Sequence, residues 1–150
     1  MTLHVRNAVE ADIPRLGAIE KEFSDNVWTE SQLKEELNLS HAHLFCCEVN
    51  GELAGFCDLH IVADDAHVNE ICVAPQHRRL GCAHALMHHA IGLCRELGCA
   101  SLTLEVRSKN EPAVLLYEKC RFRPCGLRKN FYHDPQDDAV TMLLRFRPES

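Results

Sequence analysis

Two arginines and a glycine stand where a strand-like segment gives way to a long helical one. The segment Ile71-Cys-Val-Ala-Pro-Gln-His-Arg-Arg-Leu-Gly-Cys-Ala83 ends a strand at Val73, and Gly81 begins the helix. The first N–H groups of a helix lack partners within it and carry partial positive charge, so they can hold a phosphate. Gly81 lets an anion approach the backbone, and Arg78 and Arg79 add positive charge. The pattern predicts a phosphate or diphosphate site, although it is neither a P-loop nor the Gly-x-Gly-x-x-Gly of dinucleotide folds.

A carboxylate and a phenol follow in positions that suit proton transfer. Glu105 lies near the end of the alternating segment Ala100–Val106, on its less apolar side. Tyr117 comes seven residues after Asn110, so both lie on one face of the helix predicted for Glu111–Lys119. A carboxylate can assist deprotonation of an amine, and a tyrosine can protonate a leaving group. Glu70, just before the end of the strand that leads into the phosphate loop, is a competing base.

Each of these two residues also has a purely structural interpretation. Glu105 could pair with Arg107 on an exposed strand face, because the two lie on the same side of the strand. Tyr117 could be a core aromatic residue whose hydroxyl is satisfied by a neighbour. The chemical interpretation is favoured because both residues follow the phosphate loop within one compact stretch of chain.

Around these residues, helical and strand-like patterns alternate, which is typical of an α/β or α+β protein. Asn50-Gly51 predicts a hairpin, and Thr29-Glu-Ser-Gln32 is a capping box. The length indicates a single domain over residues 1–150. The predicted strands are Leu3–Arg6, Leu44–Val49, Glu52–Ile61, His67–Val73, Ala100–Val106, Phe122–Asn130 and Ala139–Phe146, and the predicted helices are Glu10–Phe23, Thr29–Leu39, Gly81–Leu97 and Glu111–Lys119.

Composition excludes several classes of function. The net charge of −6 disfavours nucleic-acid binding, and no apolar run approaches the roughly 20 residues that span a bilayer. The first residues lack the order of a signal peptide, so the expected location is the cytoplasm. The nine cysteines are expected to be mostly reduced and buried. No metal site is expected, because His84 and His88 have helical spacing without a local acidic or sulfur ligand.

The Arg-x-x-Gly-x-Ala segment from Arg78 to Ala83, after a strand ending Val73-Ala-Pro75, resembles the acetyl-coenzyme A motif of the GNAT superfamily of N-acetyltransferases. The resemblance covers nearly the whole chain. It implies a mixed sheet of about six to seven strands, flanked by about four helices and splayed between the fourth and fifth strands. It also implies that backbone groups of Cys72 and Val73 bind the pantetheine arm. The implied pyrophosphate contacts are Arg78, Arg79, Leu80, Gly81, Cys82 and Ala83.

The block from Leu104 to Phe122 resembles the ribosomal-protein-alanine N-acetyltransferases, the RimI type. The resemblance implies that Glu105 is the general base and Tyr117 the general acid, with Asn110 and Tyr117 in contact with the coenzyme. Two further segments, Arg128-Lys-Asn-Phe-Tyr132 with Asp137-Asp-Ala-Val-Thr-Met142 and Val27-Trp-Thr-Glu30, resemble signatures of the same enzymes. They imply that Trp28 and Tyr132 form walls of the acceptor site. Glu70 is a further expected residue of that site. Arg121 and Val27 stand where these enzymes usually have glycine and proline.

The resemblance implies transfer of acetyl from acetyl-CoA to the N-terminal α-amine of a protein. The expected acceptor is a ribosomal protein that begins with alanine, and the enzyme is expected to be a monomer or a weak dimer that needs no metal. Two alternatives stay open: an acetyltransferase for a small amine or an antibiotic, and a coenzyme-A-binding module without turnover.

Overall fold

The computed structural model describes residues 1–23, 28–78 and 80–148. Within these ranges, seven strands form one sheet in the order β1-β2-β3-β4-β5-β7-β6, and four α-helices pack against it. The mixed sheet, the number of helices and the order of the elements confirm the expected fold. The elements are β1 Leu3–Asn7, α1 Ile13–Phe23, α2 Glu30–Asn38, β2 Ala42–Val49, β3 Glu52–Val62, β4 Asp65–Val73, α3 Cys82–Glu96, β5 Ser101–Arg107, α4 Glu111–Lys119, β6 Arg123–Tyr132 and β7 Asp137–Arg145.

Local sequence signals set the turn between β2 and β3 and the start of α2. Asn50 and Gly51 both adopt positive φ angles, 51° and 82°, as a two-residue hairpin of the predicted kind requires. At the start of α2, the Thr29 N–H donates to Gln32 Oε1 at 2.8 Å, and the Gln32 N–H donates to Thr29 Oγ1 at 3.1 Å. The capping box therefore forms in full and fixes where the chain enters α2.

The sheet carries an apolar core on each face. On the face covered by α3 and α4, the largest fully buried side chains include Phe45, Leu59, Leu86, Leu102 and Met142. The other face is covered by α1 and α2 and buries Leu16, Ile19, Leu33, Phe56 and Cys72. Fully burying one such aliphatic or aromatic side chain contributes about 1.5–3 kcal/mol. The two cores together hold the sheet rigid between its helices.

The parallel strands β4 and β5 pair over a short length and then separate. Their pairing consists of Asp65 with Ser101, Ala66 with Leu102, and His67 with Thr103. Beyond these positions, Val68–Val73 of β4 and Leu104–Arg107 of β5 continue without pairing to each other; we call this opening the strand split. It confirms the predicted splay between the fourth and fifth strands.

A β-bulge in β4 accompanies the strand split. Leu59 of β3 lies opposite Val68, whereas the preceding Asp58 lies opposite Glu70, so Asn69 is the extra residue. A bulge bends its strand and increases the local twist. The bulge therefore helps to turn the end of β4 away from β5.

The cysteines follow the expected pattern in most cases. All nine are free; seven are buried, Cys120 is half-buried and Cys125 is exposed. Among the residues that the structure describes, no helix has the length and apolar character needed to cross a membrane.

Candidate active site

The N-terminus of α3 opens toward solvent beside the end of β4. Gly81 is the N-cap with φ 88° and ψ 8°, and the first bond within the helix runs from the Ala85 N–H to the Gly81 carbonyl at 2.9 Å. The N–H groups of Cys82, Ala83 and His84 precede that bond, so they can serve an anion. Arg78 is exposed at the same turn. The predicted contact Arg79 lies outside the described residues.

Glycine is required at position 81 by backbone geometry more than by space. A Cβ at Gly81 would meet only Leu3 Cδ1, at the ordinary contact distance of 3.5 Å. Its φ of +88° is instead a conformation that costs about 1–2 kcal/mol for a residue with a side chain. The neighbouring Leu80 is half-buried and packs against the α3–α4 core, so it anchors the loop. The loop therefore offers its backbone to an anion in a fixed geometry.

The end of β4 offers backbone groups, while the Cys72 side chain turns into the protein. Cys72 is 7% exposed, and its Sγ donates to the Ile19 carbonyl of α1 at 3.8 Å. Burial raises the pKa of the Cys72 thiol well above its usual value, so the thiol stays protonated and unreactive. Val73 is half-buried. These placements suit the implied role of both residues, which requires only their backbone.

Gly55 of β3 is a residue that sequence reasoning missed. It pairs with Val73, and a Cβ added there would lie 2.6 Å from the Cys72 carbonyl oxygen. Any larger residue would therefore push β4 out of place at the strand split. A glycine inside a strand often marks a place where another backbone approaches closely, so Gly55, between Ala54 and Phe56, could have been singled out from the sequence.

Glu105 lies on the strand split, on the face opposite α3. Its side chain is 20% exposed, and Arg128 Nε lies 3.4 Å from Oε2 without making a hydrogen bond. Within the described part of the chain, this buried oxygen has no hydrogen-bond partner. Arg107, the ion-pair partner considered from sequence, donates to the carbonyls of Pro135 and His133 at 2.6 and 3.2 Å.

Tyr117 is buried at the junction of α4 and the sheet, with 6% of its surface exposed. Burial raises the pKa of its phenol well above the usual value, and neighbouring Cys57 and Glu70 raise it further. The phenol therefore keeps its proton at neutral pH, which is the form that a general acid requires. Asn110, the other predicted contact on this helix, is the N-cap of α4, and its Oδ1 accepts the Ala113 N–H at 3.3 Å.

The two predicted walls of the acceptor site lie on different elements. Trp28 is half-buried against the α1–α2 core, and its backbone N–H donates to Glu20 Oε2 at 3.4 Å. Tyr132 ends β6, with the Arg107 guanidinium 4.4 Å above its ring. Negative charge on Tyr132 would also raise the pKa of the Tyr117 phenol. Val27 lies outside the described residues.

Glu70 lies across the strand split from Glu105. Glu70 pairs with Asp58 of β3, and Cys72 pairs with Phe56. Because Asp58 and Phe56 are two residues apart, Glu70 and Cys72 lie on the same face of the sheet, as predicted. Glu70 Oε1 accepts the N–H of Ile71 at 3.1 Å. The structure therefore keeps both candidate bases at the split.

His67 is a second residue that sequence reasoning missed. It sits at the last paired position of β4 and β5, and its Nδ1 lies 2.7 Å from Thr103 Oγ1. Burial lowers the pKa of His67, while the negative charge of nearby Glu105 opposes the shift. A neutral imidazole therefore stands at the vertex of the split. Its position could be found only after the register of the two strands was known.

Comparison with known proteins places this geometry in context. The family model described as the acetyltransferase (GNAT) family matches residues 13–122. A Bacillus subtilis (strain 168) protein, provisionally named ribosomal protein bS18-alanine N-acetyltransferase, is 38% identical over 141 residues, covering 93% of this chain and 93% of the relative.

Solved structures give the same picture. The ribosomal-protein-S18-alanine N-acetyltransferase from Escherichia coli matches with a TM-score of 0.89 and 29% identity, over 99% of this chain and 97% of that one. The structure of yncA from Salmonella typhimurium, solved with its cofactor acetyl-CoA, matches with a TM-score of 0.84 over 100% of this chain and 97% of that one. Its identity of 16% makes it a likeness of fold alone.

Proposed function

The chain belongs to the acetyltransferase (GNAT) family, and on that premise we propose that it transfers acetyl from acetyl-CoA to the N-terminal α-amine of a protein. The Bacillus subtilis and Escherichia coli proteins act, by name, on the alanine of ribosomal protein S18. We extend that acceptor to this chain: a ribosomal protein with N-terminal alanine. The reaction then takes place in the cytoplasm, where ribosomal proteins are made, and the enzyme acts as a monomer or weak dimer.

The observation that carries the proposal is the position of the strand split next to the N-terminus of α3. The N–H groups of Cys82 and Ala83, with Arg78 and Arg79, are the proposed contacts of the coenzyme pyrophosphate. The unpaired end of β4, at Cys72 and Val73, is the proposed partner of the pantetheine arm. We propose that an acetyl thioester laid along this path enters the split between Glu105, on the face covered by α1 and α2, and Tyr117, in the core covered by α3 and α4.

The coenzyme supplies an acetyl group activated as a thioester. In the proposed reaction, Glu105 accepts a proton from the acceptor ammonium, directly or through a water molecule. The neutral amine attacks the thioester carbonyl, so a C–N bond forms and the C–S bond breaks. Tyr117 gives its proton to the departing thiolate, and the second proton of the acetylated nitrogen, passed on through water, restores the phenol, while Glu105 releases its proton to solvent. An α-ammonium, with a pKa of about 7.7–8.0, loses its proton far more readily than a lysine ammonium, with a pKa of about 10.4.

Acetylation of defined peptides tests the proposal. The purified protein is incubated with acetyl-CoA and a peptide that begins Ala-Arg and contains one internal lysine, and the product is mapped by mass spectrometry. We expect acetyl on the α-amine, and none on the lysine of a matched peptide whose N-terminus is blocked. Product with free polyamines or aminoglycosides alone would contradict the proposed acceptor. Coenzyme binding without product from any acceptor would contradict turnover.

A further inference from the structure

Glu36 of α2 and Asp58 and His60 of β3 form a cluster apart from the proposed catalytic pair; we call it the α2 cluster. His60 Nε2 lies 2.5 Å from Glu36 Oε1 and 3.2 Å from Asp58 Oδ2. One ligand atom from each of the three side chains lies within 4.8 Å of the other two. The side chains of Glu36 and His60 are 15% and 24% exposed, so the cluster is open to solvent on one side.

In the described ranges, the hydrogen bonds of this cluster leave one buried oxygen unsatisfied. His60 Nε2 carries at most one hydrogen, yet it faces oxygens of both carboxylates. Asp58 is fully buried, and its Oδ1 has no hydrogen-bond partner among the described residues. A buried unsatisfied oxygen of this kind calls for an additional group, such as an ion or a water.

The two carboxylates of the cluster have no lysine or arginine partner among the described residues. Glu36 and Asp58 both contact His60, and both accept a hydrogen bond from Asn69 Nδ2. Two carboxylates side by side at a partly buried position repel each other unless a cation or a proton lies between them. At neutral pH a proton fills this role, because burial and the neighbouring Glu36 raise the pKa of Asp58 to about 8, and a cation bound by the three side chains would replace that proton.

We propose that Glu36, Asp58 and His60 bind one divalent transition-metal ion, for which Zn²⁺ is the best match. Zinc takes imidazole nitrogen and carboxylate oxygen at about 2.0–2.2 Å, so the ligand atoms of a tetrahedral site are about 3.3 Å apart. The observed separations reach that geometry by small side-chain rotations. Asn69 Nδ2 donates to Asp58 Oδ2 at 3.4 Å and to Glu36 Oε1 at 3.5 Å, and a flip of this amide, which turns its Oδ1 toward the ion, would make Asn69 the fourth ligand.

The proposed ion would tie α2 to the sheet beside the active site. Asp58 is the register partner of Glu70, and Asn69 is the bulged residue of β4. An ion held there links the C-terminal half of α2 to both strands that border the bulge. Its chemical role is structural: it fixes the helix that follows Trp28, a proposed wall of the acceptor site.

Metal binding to the intact, chelator-treated protein tests the inference. Zn²⁺ binding is measured by calorimetry, and Co²⁺ is titrated by absorption, since a thiolate ligand to Co²⁺ gives a charge-transfer band that nitrogen and oxygen ligands do not. The test variants are Glu36→Gln and His60→Gln, which keep size and hydrogen-bonding capacity. The matched controls are His88→Gln, on the exposed face of α3, and Cys125→Ser, at the exposed cysteine.

We expect one equivalent of Zn²⁺ to bind and to raise the melting temperature, and Co²⁺ to bind without a thiolate band. Affinity should fall at least about tenfold in both test variants, in keeping with the loss of a metal ligand, and stay unchanged in both controls. Circular dichroism and acetyl-CoA binding show that the variants are folded. Wild-type affinity in Glu36→Gln and His60→Gln, a thiolate band, or no Zn²⁺ binding would each overturn the inference.

Discussion

The backbone carbonyl of Tyr117 accepts a hydrogen bond from the N–H of Phe122 at 3.0 Å, and the two rings meet edge to face with their centroids 5.9 Å apart. A second bond runs from the Arg121 N–H to the Glu118 carbonyl at 2.9 Å. This pair of bonds is a Schellman motif, with its usual contact between the flanking apolar residues. The end of α4 thus fixes the backbone of the proposed acid, although Arg121 occupies the left-handed position with φ 77°.

Replacing Arg121 by glycine should stabilise the protein. Arg121→Gly removes the left-handed strain of about 1 kcal/mol and leaves both capping bonds in place. We expect the melting temperature to rise by about 2–4 °C in differential scanning calorimetry. Arg123→Gly, in the neighbouring β6, is the control and should lower it, because glycine weakens a strand. A lower melting temperature for Arg121→Gly would show that the arginine side chain stabilises this turn.

Tyr117→Phe should lower turnover without weakening coenzyme binding. Loss of a general acid costs about 10²–10⁴ in rate, whereas the ring and its packing stay in place. Calorimetry with acetyl-CoA and steady-state kinetics with the alanine peptide measure the two effects separately. An unchanged kcat would show that Tyr117 is not the general acid.

The pH profile of the wild-type enzyme carries a further signature of Tyr117. The acid form of the phenol is the active one, and it is lost only as the pH rises through a pKa that burial has raised. The rate should therefore rise as the acceptor amine deprotonates near pH 7.7–8.0 and should not fall again below about pH 10. A decline near pH 8 would contradict the raised pKa of the phenol.

Glu105→Gln should impair the reaction more than Glu70→Gln. Glu105 has a buried oxygen without a hydrogen bond and a guanidinium at 3.4 Å, whereas Glu70 binds the N–H of its own strand. We expect kcat/KM for the alanine peptide to fall about 10²-fold or more for Glu105→Gln and less than about tenfold for Glu70→Gln. Glu111→Gln, at an exposed position of α4, is the control. The reverse order would assign the base to Glu70.

The glycines at the two ends of α3 form a matched pair. Gly81 and Gly98 both have positive φ angles, 88° and 73°, and a Cβ has no close contact at either position. Alanine at either site should destabilise the fold by about 1–2 kcal/mol. Only Gly81→Ala should also weaken acetyl-CoA binding, by about tenfold in calorimetry, because it alone shifts the amides proposed to hold the pyrophosphate. Equal affinities of the two variants for acetyl-CoA would show that the turn at Gly81 does not hold the pyrophosphate.

Much of the fold is predictable because its signals are local. The bounds of α4 follow from the apolar pattern of Glu111–Lys119 and from Pro112 at its start, and the observed helix has those same bounds. The hairpin at Asn50-Gly51 and the alternation of β5 follow from residues within a few positions of each other. These patterns express backbone preferences that do not depend on the rest of the chain.

The features that sequence reasoning missed depend on distant partners. The bulge at Asn69 exists only in relation to the register of β3, and Gly55 is needed because of the Cys72 carbonyl on the next strand. Glu36 and His60 are 24 positions apart and meet only because α2 packs across β3. No spacing of residues along the chain predicts such a contact. The expectation that no metal binds did not consider these residues.

The central claim is that the amides at the start of α3 hold a diphosphate and so direct a thioester into the strand split. Calorimetry with acetyl-CoA and with S-acetyl-pantetheine, which shares the thioester arm but lacks the diphosphate, tests it most directly. Two charge-assisted hydrogen bonds of about 1.5–3 kcal/mol each predict an affinity at least about 100-fold higher for acetyl-CoA. Equal affinity for the two compounds, or no binding of either, would contradict the account.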